Sequence, residues 1–169
     1  ESDAVLVSPH LKISASYEWE RDIRLFNAFH GLNNQIHVFV ILFNATSGLQ
    51  AALSQREYWR GGNKNEFTIC LGLDDAQNVK WCKAFSWCDL PQMETALESW
   101  YLEHTHLDFK ELTNWLEANV STLWKRKEFK DFKYLGKKLT PWKSVLVGFL
   151  TLAACALFIY IAYYLTTTQ

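Results

Sequence analysis

The sequence predicts an α/β fold: a small mixed β-sheet flanked by helices on both faces, as in an α/β/α sandwich, followed by one C-terminal transmembrane helix. Three observations lead to this prediction. Segments with helical and strand periodicity alternate up to about residue 125. A helix separates the first two strands, which predicts a parallel pair, whereas a short turn separates the last two, which predicts an antiparallel pair. The last long segment is apolar and uncharged.

The first predicted helix covers residues 17–30 (YEWERDIRLFNAFH). Trp19, Ile23, Phe26 and the pair Phe29–His30 recur at helical spacing and are expected on one face. Gly31 follows directly, and a glycine after the last periodic residue predicts the end of a helix.

The predicted sheet includes residues 36–43 (IHVFVILF), a nearly continuous run of β-branched and aromatic side chains. Such a run is typical of a strand that is buried on both faces. Residues 5–7 or 11–14 are candidates for an additional edge strand. A capping box at Ser47 and Gln50 predicts the start of a second helix, which reaches about Trp59. A strand at 66–73, a turn at 74–78 and a strand at 79–87 follow. Asp89 and Pro91 indicate the start of a third helix, and a capping box at Asp108 and Glu111 indicates the start of a fourth.

The run SVLVGFLTLAACALFIYIAYYL, residues 144–165, predicts a membrane span. As a helix it would be about 33 Å long, enough to cross a hydrocarbon core of about 30 Å. Trp142 precedes it and Tyr160, Tyr163 and Tyr164 lie near its end, where aromatic belts occur. The alternative, a buried core helix, is disfavoured because the segment has no polar face.

The segment before this span is strongly basic, and aromatic residues alternate with its lysines. By the positive-inside rule, a basic flank places the preceding domain on the cytoplasmic or matrix side of the membrane. An amphipathic segment that contacts lipid head groups or a partner is one reading, and a solvated charged linker is the other. The residues expected to make membrane or partner contacts are Lys125, Arg126, Lys127, Phe129, Lys130, Phe132, Lys133, Lys137, Lys138, Trp142 and Lys143.

The predicted domain organisation follows from these segments. It comprises an N-terminal extension or edge strand at 1–16, a soluble α/β domain at 17–125, a basic amphipathic membrane-proximal segment at 126–143, a transmembrane helix at 144–165 and a tail at 166–169.

The charge balance and the motifs exclude several functional classes. With 17 basic and 18 acidic residues, the chain lacks the basic excess of a nucleic-acid-binding protein. It contains no GxSxG or HExxH motif, and the glycines at 61–62 follow a helix instead of opening one, unlike a phosphate-binding loop. No cofactor is therefore expected.

The cysteines are candidates for a disulfide or for thiol chemistry. Cys82 and Cys88 lie on one predicted strand about 20 Å apart, too far to cooperate. If the hairpin is symmetric about Ala76, Cys70 falls opposite Cys82. A cross-strand disulfide between these two is one alternative, and two buried thiols are the other.

Two adjacent carboxylates are candidates for a metal site. Asp74 and Asp75 follow a predicted strand, and sites in open α/β sheets often lie at strand ends. These oxygens could hold a divalent ion. Ordinary turn chemistry is the alternative, because aspartates in turns bond to the backbone that follows them.

The segment YWRGGNKNEFTICLGLDD followed by NVKWCKAFSW resembles the TPM-domain family, together with the order of elements and the apolar C-terminal run. The resemblance covers roughly residues 17–125. It implies an α/β/α sandwich that is exported and tethered to a membrane; members are linked to photosystem maintenance, phosphatase activity and membrane-complex assembly. This chain departs from the family where residues 86–89 replace a glycine-rich turn. The exported location also disagrees with the basic flank, and would put the domain on the periplasmic or lumenal side.

These observations predict a non-catalytic accessory, assembly or stabilising subunit of a larger membrane complex. Its expected partners are membrane lipids and other subunits of that complex, and not nucleic acid. Two alternatives stay open: a membrane-anchored, metal-dependent phosphatase-like hydrolase using Asp74, Asp75 and Asp89, and a thiol-redox protein using Cys70 and Cys82.

Overall fold

A computed structural model of the chain describes residues 3–63, 65–88, 90–128, 130 and 141–167. Within these residues the fold is α/β, with a mixed four-stranded sheet and five helices. The chain divides into two compact units, Glu1–Lys127 and Glu128–Gln169. The elements are β1 (Val5–Val7), α1 (Tyr17–Asn34), β2 (His37–Asn44), a 3₁₀ turn (Ala45–Ser47), α2 (Gly48–Tyr58), β3 (Glu66–Leu73), β4 (Val79–Ser86), α3 (Pro91–Glu103), α4 (Phe109–Leu123) and α5 (Pro141–Thr167).

The strands lie in the order β1-β2-β3-β4. The first three are parallel and β4 is antiparallel to β3, which confirms the predicted mixed sheet. Of the two candidate edge strands, residues 5–7 form β1, whereas Leu11 instead packs in the core. The N-terminal residues therefore belong to the same compact unit as the rest of the sheet.

Helices cover both faces of the sheet. On β2, Val38, Val40 and Leu42 point into the larger core, which also contains buried residues of α1, α3 and α4. The alternate residue Ile41 points to the other face, where it packs with Ala52 of α2. The unbroken apolar run of β2 reflects this burial on both sides.

Side chains of α1 complete the hydrogen bonds at one edge of the sheet. The Glu20 carboxylate accepts hydrogen bonds from the backbone N–H groups of Ala4 and Val5, each at 2.8 Å. Asn27 bonds to both backbone groups of Val38, accepting from its N–H at 2.7 Å and donating to its carbonyl at 2.9 Å. Polar groups at this edge, where the described residues supply no further strand, are thus paired inside the fold.

Two carboxylates of α3 serve the opposite edge, β4. Glu98 accepts from the backbone N–H of Ala84 at 3.2 Å, and Glu94 accepts from that of Ser86 at 3.2 Å. Glu98 also forms an ion pair with Lys83 at 2.8 Å. The two glutamates are four residues apart and therefore lie on one face of α3. That face bonds to two alternate residues of β4.

The predicted end of one helix and the predicted cap of another are wrong, and local contacts explain why. Helix α1 continues past Gly31 to Asn34 and ends at Gln35, which has a left-handed φ of 52°. The indole Nε1 of Trp124 donates to the carbonyl of Asn34 at 2.9 Å, which satisfies one of the last carbonyls of the longer helix.

The second error is the cap of α2, although the helix does begin directly after Ser47 as predicted. Ser47 makes no side-chain capping bond, so the predicted capping box does not form. Instead, Asn44 accepts a hydrogen bond from the N–H of Thr46 at 2.9 Å and starts a 3₁₀ turn. The predicted cap at Asp108 is confirmed, because its carboxylate accepts from the N–H groups of Lys110 and Glu111 at 2.8 and 3.0 Å.

Helix α5 (Pro141–Thr167) belongs to the second compact unit, and all of its described side chains are exposed. Among the residues that the structure describes, there is no helix that combines the length and the apolar character needed to cross a membrane. The predicted span at 144–165 includes Ser144, Ala162 and Leu165, whose side chains lie outside the described residues.

The Glu20 carboxylate can be tested as a determinant of stability. Burial by itself raises its pKa, but hydrogen bonds from Ala4, Arg24 and Val5 outweigh burial and lower it. We expect Glu20→Ala to reduce the free energy of unfolding by about 1–3 kcal/mol at pH 7, since two backbone donors lose a charged acceptor.

A group with a lowered pKa contributes stability that is present above its unfolded-state value and is lost as the pH falls through the folded-state value. The difference between wild type and Glu20→Ala should therefore shrink below about pH 4. Urea unfolding at several pH values measures both effects. Glu18→Ala is the control, because Glu18 is exposed on the same helical turn; equal losses from both substitutions would contradict the assignment.

Candidate functional site

Asp74 organises the turn between β3 and β4. One carboxylate oxygen accepts from the N–H groups of Ala76 and Asn78 at 3.0 and 2.8 Å. The other accepts from the side-chain amide of Asn78 at 3.1 Å and pairs with Nζ of Lys80 at 3.0 Å. Hydrogen bonds from Asn78 and Lys80 hold the pKa of Asp74 well below its usual range. Both oxygens are thus engaged in turn chemistry.

The structure gives no support for a metal site at this turn. Asp75 is exposed, and Asp89 lies outside the described residues. Within the described part of the chain, no group of three or more His, Cys, Asp or Glu side chains could hold a metal ion. The local geometry therefore favours the turn interpretation of Asp74 over the metal interpretation.

The hairpin register that would place Cys70 opposite Cys82 is wrong, and of the two alternatives the structure has free thiols. Leu73 pairs with Val79 as expected, but the register shifts at Gly72, so Cys70 lies opposite Lys83 and Cys82 lies opposite Leu71. The Trp81 ring packs directly on Gly72, where a Cβ atom would overlap it. The indole Nε1 of Trp81 donates to the carbonyl of Ala45 at 3.1 Å, which fixes the ring there.

As a consequence, the two thiols face opposite sides of the sheet. Cys70 packs with Ile41 and Phe85 on the α2 face, whereas Cys82 packs against the larger core. Both are free thiols. Burial raises the pKa of Cys70 to about 12, and burial also raises the pKa of Cys82 well above its ordinary value. Both thiols are therefore protonated and poorly nucleophilic near neutral pH.

Only part of the predicted basic contact segment is described. Lys125 is exposed, whereas Arg126 and Lys127 are half-buried in the first unit. Residues 124–128 have no regular secondary structure, so the described start of the predicted amphipathic segment is not helical. Lys130 pairs with Glu128 at 2.8 Å, and Trp142 and Lys143 are exposed. The other predicted contact residues, Phe129, Phe132, Lys133, Lys137 and Lys138, lie outside the described residues.

Helix α1 carries an exposed apolar stripe, which we call the α1 stripe, formed by Leu25, Phe29 and Leu32. Their exposed fractions are 48%, 71% and 86%. The spacing of four and three residues puts them on one outward face. The expectation that Phe29 shares one face with Ile23 and Phe26 is wrong, because those two are buried whereas Phe29 is exposed. Periodicity could have identified the stripe, since a helix with two apolar faces buries one of them in the core and leaves the other exposed.

The glycine-containing loop after α2 is built by unusual backbone conformations. Arg60, Gly61 and Gly62 all have positive φ values, of 52°, 86° and 81°. The N–H of Gly61 donates to the carbonyl of Arg56 at 2.8 Å, which closes the end of the helix. A Cβ atom on Gly62 would lie 3.1 Å from a carboxylate oxygen of Glu66, so the glycine permits a close approach.

This loop borders a cavity of about 400 Å³ on the α2 face of the sheet. Trp59, at the C-terminal end of α2, meets Phe39 of β2 edge-on, with ring centroids 6.3 Å apart and an interplanar angle of 69°. The Glu66 carboxylate accepts from the backbone N–H and the side-chain amide of Asn63 at 2.7 and 2.6 Å. Leu6 of β1 completes the apolar part of the lining.

The turn function of Asp74 can be tested separately from any metal function. We expect Asp74→Ala to lower the midpoint of thermal unfolding, because two N–H groups and Lys80 lose their acceptor. Asp75→Ala should leave it unchanged. The stability that Asp74 contributes should fade only in strongly acidic solution, because a lowered pKa keeps the carboxylate charged down to low pH. A rise in the unfolding midpoint with Mg²⁺ or Ca²⁺ that both substitutions abolish would instead establish a metal site.

The state of the thiols can be measured by mass spectrometry. In the folded protein without reductant, Cys70 and Cys82 should resist alkylation by iodoacetamide, and both should react after unfolding in guanidinium. The cause for Cys70 is burial together with its raised pKa, and the cause for the half-buried Cys82 is the raised pKa of its thiol. A peptide pair linked through Cys70 and Cys82 would contradict the opposite-face arrangement.

Comparison with known proteins finds no family model, no curated protein and no solved structure that matches this chain. The resemblance to TPM domains therefore remains a prediction from the sequence.

Proposed function

We propose that the chain is a non-catalytic accessory or stabilising subunit that binds another protein of a membrane complex through the α1 stripe. The observation that carries the proposal is the exposure of Leu25, Phe29 and Leu32 on one side of a helix. Single exposed apolar residues are common on protein surfaces, but three on one side of a helix form an apolar patch whose exposure to water is unfavourable in free energy. An amphipathic partner helix with complementary spacing is the simplest cover for such a stripe.

A membrane tether is the second part of the proposal. The uncharged run at 144–165 lies in α5, and its exposed side chains include Val145, Phe149, Phe158 and Tyr163, which are apolar or aromatic. A helix that is apolar around its whole circumference is stable when lipid or protein surrounds it. A helix of 22 residues would reach about 33 Å, which matches a bilayer core of about 30 Å. The TPM-like sandwich is part of the same proposal, supported by the resemblance in residues 17–125.

The two alternative functions have weaker support. A hydrolase would need Asp74 to bind a metal or a substrate, but both of its oxygens already accept hydrogen bonds or an ion pair within the turn. A thiol-redox protein would need Cys70 and Cys82 on one side of the sheet. No observation on the described residues favours either alternative over a binding role.

The α1 stripe can be tested by affinity purification from a mild detergent. We expect the triple variant Leu25→Gln, Phe29→Gln, Leu32→Gln to co-purify at least tenfold less of the partner chains. The substitutions remove the apolar contact area, and glutamine is itself a good helix-forming residue.

The control is Tyr58→Gln with Leu102→Gln, which changes two side chains that are 82% and 80% exposed and lie on other helices. The control should retain the partners of the wild type, and circular dichroism should show that all three proteins are folded. A wild-type chain that always elutes alone as a monomer would refute the proposal, as would equal loss of partners in the control.

A further inference from the structure

The cavity beside the glycine loop combines aromatic walls with negative charge. Phe39 and Trp59 supply two aromatic rings, and Glu66 and Asp3 supply two carboxylates. None of the described residues that line it is basic. The faces of aromatic rings attract cations, and Trp is the strongest of the three aromatic residues in this respect.

We infer that this cavity binds a quaternary ammonium group, such as the head of choline. Aromatic side chains within about 6 Å of a quaternary ammonium stabilise it without any hydrogen bond, and an adjacent carboxylate adds attraction. A volume of about 400 Å³ is at the small end of ligand cavities, which suits a compact ligand.

The hydrogen bonds of Glu66 favour a quaternary over a primary ammonium. Both carboxylate oxygens already accept from Asn63, at 2.7 and 2.6 Å. The carboxylate therefore offers its charge more readily than its hydrogen-bonding capacity. A quaternary ammonium has no N–H donor to satisfy and is easier to desolvate, so it loses little in such a site.

Neighbouring groups leave the negative character of the cavity in place. His37 stacks on Phe39 with ring centroids 4.5 Å apart, and burial lowers the pKa of His37 despite the opposing effect of Glu66. The imidazole is thus neutral at pH 7 and does not repel a cation. Arg24 lies 3.7 Å from Asp3 and offsets part of the charge of that residue, which makes Glu66 the more important carboxylate.

The loop geometry keeps Glu66 beside the aromatic rings. Gly62 has a φ of 81° and lies close to the Glu66 carboxylate, so a side chain at this position would be strained and would crowd it. Trp59, Gly62, Asn63 and Glu66 all come from the segment YWRGGNKNE, and Phe39 and Leu6 come from two neighbouring strands. The cavity thus unites a loop that the sequence makes conspicuous with residues that only the fold brings near.

Binding can be measured by titrating the full-length chain with choline chloride in a maltoside detergent, which carries no competing choline head group. Two-dimensional NMR of the tryptophan indole groups should show a saturable shift of the Trp59 signal, assigned with Trp59→Phe. The neutral isostere 3,3-dimethylbutan-1-ol should bind at least tenfold more weakly, because it has the same shape without the charge. Phosphocholine should also bind more weakly than choline, since its phosphate would meet the acidic rim.

Matched variants distinguish this cavity from the rest of the surface. Phe39→Leu and Glu66→Gln should each weaken choline binding at least tenfold. Phe43→Leu should not, although Phe43 lies on the same strand and the same face, because it packs with Trp81 and does not line the cavity. Thermal unfolding should confirm that each variant is folded.

Several results would overturn the inference. These are no saturable shift with choline, equal affinity for the neutral isostere, or equal loss of binding in Phe43→Leu. Phosphocholine binding tighter than choline would point to a phospholipid head group as the ligand and would also overturn it as stated. None of these results depends on the α1 stripe, so the cavity and the proposed subunit role succeed or fail independently.

Discussion

The backbone groups at the two edges of a four-stranded sheet must find partners, and in this fold helix side chains supply them. Glu20 and Asn27 of α1 bond to β1 and β2, while Glu94 and Glu98 of α3 bond to β4. Each bond ties a position on a helix to a position on a strand, so helix placement and strand register depend on each other. These carboxylates are part-buried, and an N–H group left unpaired there would reduce the free energy of unfolding.

Much of the fold could be predicted from local patterns, because strands and helices leave distinct periodicities. The strand at 66–73 appears with the predicted bounds, and the parallel and antiparallel pairs follow from connection length. The errors come from contacts between residues distant in sequence. The register of β4 shifts because the Trp81 ring packs on Gly72 and its indole donates a hydrogen bond to the carbonyl of Ala45. Helix α1 continues past Gly31, and the indole of Trp124 donates a hydrogen bond to a carbonyl at the end of this helix. No pattern of neighbouring residues encodes such contacts.

The candidate sites show the same division. The sequence located Asp74 and the glycine loop, and a turn role for Asp74 was one of the two alternatives it left open. It could not decide between them, because the donors that occupy the carboxylate become known only when the turn is folded. The aromatic cavity was missed altogether, since Phe39 and Trp59 are 20 positions apart and meet only through the crossover between parallel strands.

The glutamates at β4 also limit how this domain can meet other proteins. Many sheets recruit a peptide by adding it as an extra strand along an open edge. At β4 an incoming strand would have to displace Glu94 and Glu98 from the N–H groups of Ala84 and Ser86, and its own carbonyls would face two carboxylates. Recognition by strand addition, and the edge-to-edge aggregation that accompanies it, are therefore disfavoured on this side. A partner would therefore bind to exposed side chains of the helices. These side chains can be substituted without disturbing the sheet.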